Sequence, residues 1–248
     1  MVVVENQPLG ARRAGGVVFD VVPPTLAIDD SDVRFPVRRV YCVGRNYADH
    51  AREMGSDPDR EPPFYFTKPA DAVFTVAEGY LGGRPGALPY PPATHNLHHE
   101  IELVVAIGST VANEPASDVL QHVWGYAVGV DLTRRDMQDD AKATRRPWDL
   151  SKGFDASGPL SPLVPASGDR GSTGRIWLTV DGELRQEGDL ADQIWPVADV
   201  VAQLSASVVL QPGDLIMTGT PSGVGPIARG QTVAGGIDGI GELTFTVE

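Results

Sequence analysis

The chain carries a single cysteine, Cys42, in 248 residues, so it closes no internal disulfide and offers no cysteine pair for a structural zinc site. Long apolar runs are missing too: stretches such as IELVVAIG fall far short of the roughly 20 residues that span a bilayer. Positive charge is scarce, with 20 Lys and Arg against 33 Asp and Glu and a net charge of −13. Nucleic acids and anionic membranes are bound through basic surfaces, so this balance argues against both. The opening MVVVENQPLGARR places its apolar residues before its arginines and lacks the order of a secretory signal. Together these absences point to a reducing cytoplasm. Repeats, low-complexity tracts and disorder-like segments are absent as well, and 42% hydrophobic residues suffice for a core.

Residues 1–36 mix short apolar stretches with turn formers such as Gly15-Gly16 and Pro23-Pro24 and hold no cluster of reactive side chains, which suggests a small N-terminal appendage. From Val37 the texture changes. RRVYCVG predicts a buried strand ending at Gly44, followed by a helix over Ala48 to Met54 with Asn46 or Asp49 as its cap. PPFYFTKPADAVF reads as a strand broken at Pro69, and IELVVAIG and WGYAVGVDL as buried strands. TRRDMQDDAKATR has helical composition without a wide apolar stripe, which places it on the surface beside a cleft. RIWLTVDGELRQEG is a hairpin pattern turning at Asp181-Gly182. PVADVVAQLSASVVL is an amphipathic helix with Val197, Val200, Val201 and Leu204 on one face. Strands outnumber helices without βαβ alternation, so the expected class is α+β with a β-rich core.

Three groups of side chains have chemical potential. Glu100 and Glu102, two apart at the entry to an apolar strand, point to one side, and two carboxylates held so close repel unless protonated or bridged by a cation. With Asp131 at the end of another strand, three oxygen ligands would suit a hard divalent ion such as Mg²⁺ or Mn²⁺. The spacing alone equally allows a solvated strand face, with Asp131 capping the next helix. His50 and Glu53, three apart on a helix, form either a water-activating pair or an ordinary exposed one. Lys68, Arg134, Arg135 and Lys152 are candidates for holding an acidic substrate. GTPSGVGP lacks the order of a nucleotide-binding loop, and its glycines instead let backbone N–H groups and the Thr220 hydroxyl approach a carboxylate. His98 and His99 adjoin the carboxylate pair and lack the spacing of metal-binding histidines.

Taken in order, YCVGRNYADHAREMG, FTKPADAV, NLHHEIELVVAIG, GVDLTRRDMQ, LSKGFDASGPLSP and GDLIMTGTPSGVGP resemble the motif set of the fumarylacetoacetate hydrolase superfamily, from Tyr41 to Pro226. Within it the wording is most similar to the fumarylpyruvate hydrolases of gentisate breakdown. The resemblance implies a β-roll or distorted mixed β-barrel with short peripheral helices, a catalytic domain over residues 37–248, and a homodimer. It also implies one Mg²⁺ or Mn²⁺ per subunit on Glu100, Glu102 and Asp131. His50 and Glu53 would activate water on a short helix able to act as a lid, Lys152 would assist catalysis, and Lys68, Arg135, Gln138 and Thr220 would line the substrate site. The implied reaction is hydrolysis of a carbon–carbon bond in an acylpyruvate, fumarylpyruvate giving fumarate and pyruvate. Acylpyruvase or oxaloacetate decarboxylase activity, an isomerase of meta-cleavage products, and a non-catalytic metal-binding module are the alternatives.

Overall fold

The computed structural model describes residues 20–49, 62–168 and 170–248. Strands β1 (Thr25–Ile28) and β2 (Ser31–Pro36) form a hairpin. The chain continues through β3 (Arg39–Gly44), β4 (Phe64–Lys68), β5 (Val73–Thr75), β6 (Ala87–Leu88), β7 (Leu97–His99), β8 (Ile101–Ile107) and β9 (Val123–Val130). Short strands β10 (Thr133–Arg134), β11 (Gly158–Leu160) and β12 (Val164–Pro165) follow. The last third adds β13 (Arg175–Val180), β14 (Glu183–Asp189), β15 (Asp214–Met217), β16 (Gly225–Ile227), β17 (Thr232–Ile237) and β18 (Gly241–Val247). Three α-helices lie among the described residues outside the start of one at Ala48–Asp49: Arg135–Ala143, Asp149–Lys152 and Val197–Ser207. The fold is therefore β-rich α+β, and no described helix is long and apolar enough to cross a membrane.

The main sheet runs β4-β3-β15-β8-β9-β11-β5, with β12 also pairing with β9. It is mixed, since β3 and β15 are parallel and β8 and β9 antiparallel. Every residue of β8 is buried because this central strand is covered on both sides. Ile101, Leu103, Val105 and Ile107 belong to one apolar cluster, and Val104 and Ala106 belong to another. The second cluster also takes Leu26 and Phe35 from the β1–β2 hairpin, which is tied to the sheet by the Asp29 N–H to Leu163 carbonyl bond. A five-stranded sheet, β14-β13-β17-β18-β6, and a three-stranded one, β10-β7-β16, complete the roll.

Local expectations were met where local physics decides. Asp181 and Gly182 have φ of 52° and 80°, the left-handed pair that a tight type I′ hairpin turn requires. In the helix Val197–Ser207 the predicted face of Val197, Val200, Val201 and Leu204 is buried. Asn46, one of two candidate caps, is fully buried and has other partners: its amide donates to the carbonyls of Trp195 and Thr218 and its oxygen accepts from Trp195 N–H.

Candidate active site

The site begins with the β8–β9 register. Ile101 faces Val130 and Glu102 faces Gly129, and one step further the Asp131 N–H donates to the Glu100 carbonyl at 2.8 Å. Residues directly opposite in an antiparallel pair share a face, as do residues two apart on one strand. Glu100, Glu102 and Asp131 must therefore emerge on the same side at the same end of the sheet. Each offers an oxygen within 4.8 Å of the other two, and all three are buried. A solvated strand face, which the spacing alone permitted, does not occur.

Buried cations answer most of this negative charge. Lys152, the last residue of the short helix Asp149–Lys152, reaches Glu100 Oε2 at 2.6 Å and Asp131 Oδ2 at 2.8 Å. Burial disfavours its charged form, but Asp131 and Glu100 outweigh that and its pKa is raised. Lys68 pairs with Asp131 Oδ1 at 2.7 Å and also donates to the carbonyls of Leu132 and Lys152. Arg135, at the start of the helix Arg135–Ala143, donates to Glu100 Oε1 and to Gln138 Oε1. Its Nε also meets His98 Nδ1 at 3.3 Å. An arginine can only donate, so that nitrogen is unprotonated, in keeping with a His98 pKa pushed down to about 4 by burial and then by Arg135.

Glu102 is the exception. Among the described residues it accepts one hydrogen bond, from Gly219 N–H at 2.8 Å, and no cation contacts it. Burial, then Asp131 and Glu100, push its pKa well above the usual carboxylate range. A fully buried carboxylate beside two others, with no positive partner of its own, is where an added cation gains most. The donor set is all oxygen, and burial holds the nearby Cys42 thiol protonated, so the residues fit a hard divalent ion better than a soft one. Gly219 is required for the amide contact: its φ is 96°, and a Cβ there would lie 2.6 Å from that of Asn46.

Glu100 and Glu102 open onto a small cleft, with an Asp131 oxygen within 4.8 Å of theirs. Arg135, Gln138, Lys152 and Thr220, four of the residues expected to act on substrate, line it together with Glu100 and Glu102. Lys68 does not: its side chain is fully buried against Asp131, so it sets the charge of the ligand from outside the cleft lining. Arg134 turns the other way, onto the Leu150 carbonyl and over the Phe154 ring at 4.3 Å. His50 and Glu53 lie outside the described residues. Several contributors carried no signal in the sequence. Phe64, Phe66 and Trp148 form an aromatic wall, with Arg45 over Phe64 at 5.4 Å and Lys142 over Trp148 at 5.4 Å. Gln186, in the middle of a polar strand, is buried and bonds both His99 and Thr220.

With this geometry in view, residues 39–248 match the sequence profile of the fumarylacetoacetate (FAA) hydrolase C-terminal family. The chain belongs to that family. Among solved structures, it is similar to the fumarylpyruvate hydrolase from Pseudomonas aeruginosa in complex with Mn²⁺ and pyruvate. The two share 52% sequence identity and a TM-score of 0.88 over 94% of this chain and 99% of the other. It is 41% identical to the human mitochondrial oxaloacetate tautomerase FAHD1 over 85% of this chain and 92% of the relative. It is 37% identical to the mitochondrial oxaloacetate decarboxylase of Dictyostelium discoideum over 82% of this chain and 90% of the relative. As a member of this family, the chain is an enzyme acting on carbon–carbon bonds of ketonic substrates.

Proposed function

We propose that the protein is a metal-dependent fumarylpyruvate hydrolase, converting fumarylpyruvate and water to fumarate and pyruvate. The observation that carries this reading is one cleft that joins Glu100 and Glu102, two of three converging carboxylates, to aromatic rings and two further cations. The carboxylate end suits the chelating pyruvyl group. The wall of Phe64, Phe66 and Trp148 with Arg45 and Lys142 suits a flat conjugated acyl chain that ends in a second carboxylate. The higher identity to the P. aeruginosa hydrolase than to the tautomerase and decarboxylase relatives supports the same choice.

Glu100, Glu102 and Asp131 would hold the ion. Bound there, Mg²⁺ or Mn²⁺ supplies a Lewis acid for the pyruvyl oxygens and for negative charge on the departing fragment. The chain's own residues do the rest. Arg135, Gln138 and Thr220 hold the pyruvyl carboxylate by charge-assisted hydrogen bonds. His50, oriented by Glu53, takes a proton from water as its oxygen adds to the acyl carbonyl carbon. The positive charge of Lys152, with that of Lys68 behind it, stabilises the oxyanion. The carbon–carbon bond then breaks, its electron pair leaving on the enolate of pyruvate and the acyl carbon becoming the carboxyl carbon of fumarate. The reading further takes residues 37–248 as the catalytic unit, residues 1–36 as an appendage, and a cytoplasmic homodimer serving gentisate breakdown as the working form.

A spectrophotometric screen of fumarylpyruvate, acylpyruvates and oxaloacetate with Mg²⁺ or Mn²⁺, before and after EDTA, tests the proposal. The expected result is EDTA-sensitive loss of diketone absorbance with fumarate and pyruvate released in equal amounts. Turnover of oxaloacetate with fumarylpyruvate untouched would instead select the decarboxylase or tautomerase reading that the mitochondrial relatives favour. His50→Ala should abolish hydrolysis while leaving metal affinity near normal, and loss of the metal in that variant would contradict the assigned role.

A further inference from the structure

Gln186 touches neither the cleft nor the carboxylates, yet the directions of its hydrogen bonds are fully determined by its partners. Its Oε1 lies 3.1 Å from the Ile101 N–H, a group that can only donate. Its Nε2 lies 2.9 Å from the Pro221 carbonyl, a group that can only accept. No flipped amide satisfies both, so the orientation is unambiguous. His99 Nδ1, 2.8 Å from the same Oε1, must then carry a hydrogen and donate.

At the other end, Gln186 Nε2 donates to Thr220 Oγ1 at 2.7 Å. The Thr220 hydroxyl is thereby an acceptor towards the protein interior. Among the described residues nothing else accepts from it, and Thr220 lines the cleft beside Glu102 and Arg135. A hydroxyl that accepts on one side turns its own hydrogen to another, and the direction left is the cleft.

We infer that Gln186, braced by the Ile101 N–H and by His99, is a positioning residue that fixes the polarity of the Thr220 hydroxyl so that it donates to an anionic group of the substrate. The inference rests on the proposed role of Thr220 in holding the pyruvyl carboxylate. It explains why a fully polar amide is buried in an otherwise exposed stretch of β14, with Glu183, Leu184, Arg185 and Glu187 all open to solvent. Without the amide, the hydroxyl rotates freely and its donation to the substrate is no longer pre-arranged.

A double-mutant cycle on the Mn²⁺-loaded protein tests this, read as the dissociation constant of pyruvate and as KM and kcat for fumarylpyruvate. Thr220→Val removes the hydroxyl, Thr220→Ser keeps it, and Gln186→Met removes the amide while keeping the length of the chain. Thr220→Val should weaken pyruvate binding roughly 10- to 100-fold, the range for a hydrogen bond to a charged group. Gln186→Met should weaken it in the same direction, Thr220→Ser should restore most of it, and Gln186→Met should add nothing in the Thr220→Val background. Full additivity of the two substitutions, or unchanged pyruvate affinity in Gln186→Met, overturns the inference. If Gln186→Met does not fold, Gln186→Glu serves in its place: the carboxylate would accept from Thr220 and draw the hydrogen away from the cleft, so unchanged pyruvate affinity would again overturn it. Pyruvate binding is read separately from turnover. A wild type inactive on fumarylpyruvate would count against the proposed function and leave the cycle to decide the hydrogen-bond chain.

Discussion

Glu102→Gln should make the metal-free protein more stable and the metal-loaded protein relatively weaker. In the absence of metal, Glu102 is fully buried and, among the described residues, accepts a single hydrogen bond, from Gly219 N–H, and faces Asp131 and Glu100 without a cation of its own. The glutamine oxygen keeps the Gly219 bond, and its NH₂ replaces a repulsion with a donor aimed at neighbouring carboxylates. An uncompensated buried group costs about 1–3 kcal/mol, and more when charged. At about 2–4 °C per kcal/mol for a chain of this size, the substitution should raise Tm in EDTA at pH 8 by roughly 3–10 °C. The sign with pH follows from a folded pKa above the ordinary 4.5. The wild-type contribution is fully present below the unfolded value and is lost as pH rises through the folded one. The gap between variant and wild type should therefore close as pH falls towards about 4.5. Saturating Mn²⁺, at about 100 times its Kd, stabilises the wild type by about 2.7 kcal/mol. The variant, short of one ligand, should gain much less at the same concentration. Differential scanning fluorimetry across pH, with EDTA or Mn²⁺, reads all of this. A variant less stable in EDTA at pH 8, a gap that ignores pH, or equal stabilisation by Mn²⁺ would each refute the reasoning.

Lys152→Met should act in the opposite sense. Glu100 and Asp131 lose the ammonium they share, which at about 3–5 kcal/mol for a broken buried pair lowers the metal-free Tm by roughly 6–20 °C, with Mn²⁺ recovering part of the loss. Asp214→Asn, far from the cleft, removes a buried carboxylate held by Arg38, Arg39 and the Gln211 N–H. Because the arginines are partly exposed, denaturant titration should show a loss of only about 1–3 kcal/mol, with kcat unchanged. Gly129→Ala would place a Cβ 2.6 Å from Leu160 and 2.7 Å from Val104, opposite Glu102. Overpacking should cost about 1–3 kcal/mol and weaken Mn²⁺ binding by calorimetry, because the strand that carries Asp131 has to shift.

Much of the fold was legible because its signals are local. The Asp181-Gly182 turn follows from two residues that tolerate positive φ, and the buried face of the helix Val197–Ser207 from a 3.6-residue period. Glu100 and Glu102 were legible as a pair because strand geometry alone puts them on one side. Lys68 illustrates the limit: its sequence neighbours say that it lies near a strand end, but only the folded chain brings it against Asp131. Arg45 and Lys142 gave no sign of sharing a cleft, being almost a hundred positions apart and brought together by aromatic rings from β4 and Trp148. Gln186 was invisible, since a glutamine in a run of charged residues looks solvated until four partners, two on other strands and two in a loop, close around it.

The amino-acid order by itself determined the exclusion of an internal disulfide, the strand-dominated class, the carboxylate pair and, through its ordered motifs, the family. Only tertiary structure decided that Asp131 joins the pair, that Lys152 and Lys68 neutralise two of the three carboxylates, and that Glu102 has no cation partner among the described residues. Periodicity and turn chemistry act over a few residues, whereas charge compensation depends on distances of a few ångströms between segments far apart in the chain. Those distances exist only once β8, β9 and β15 have paired in register.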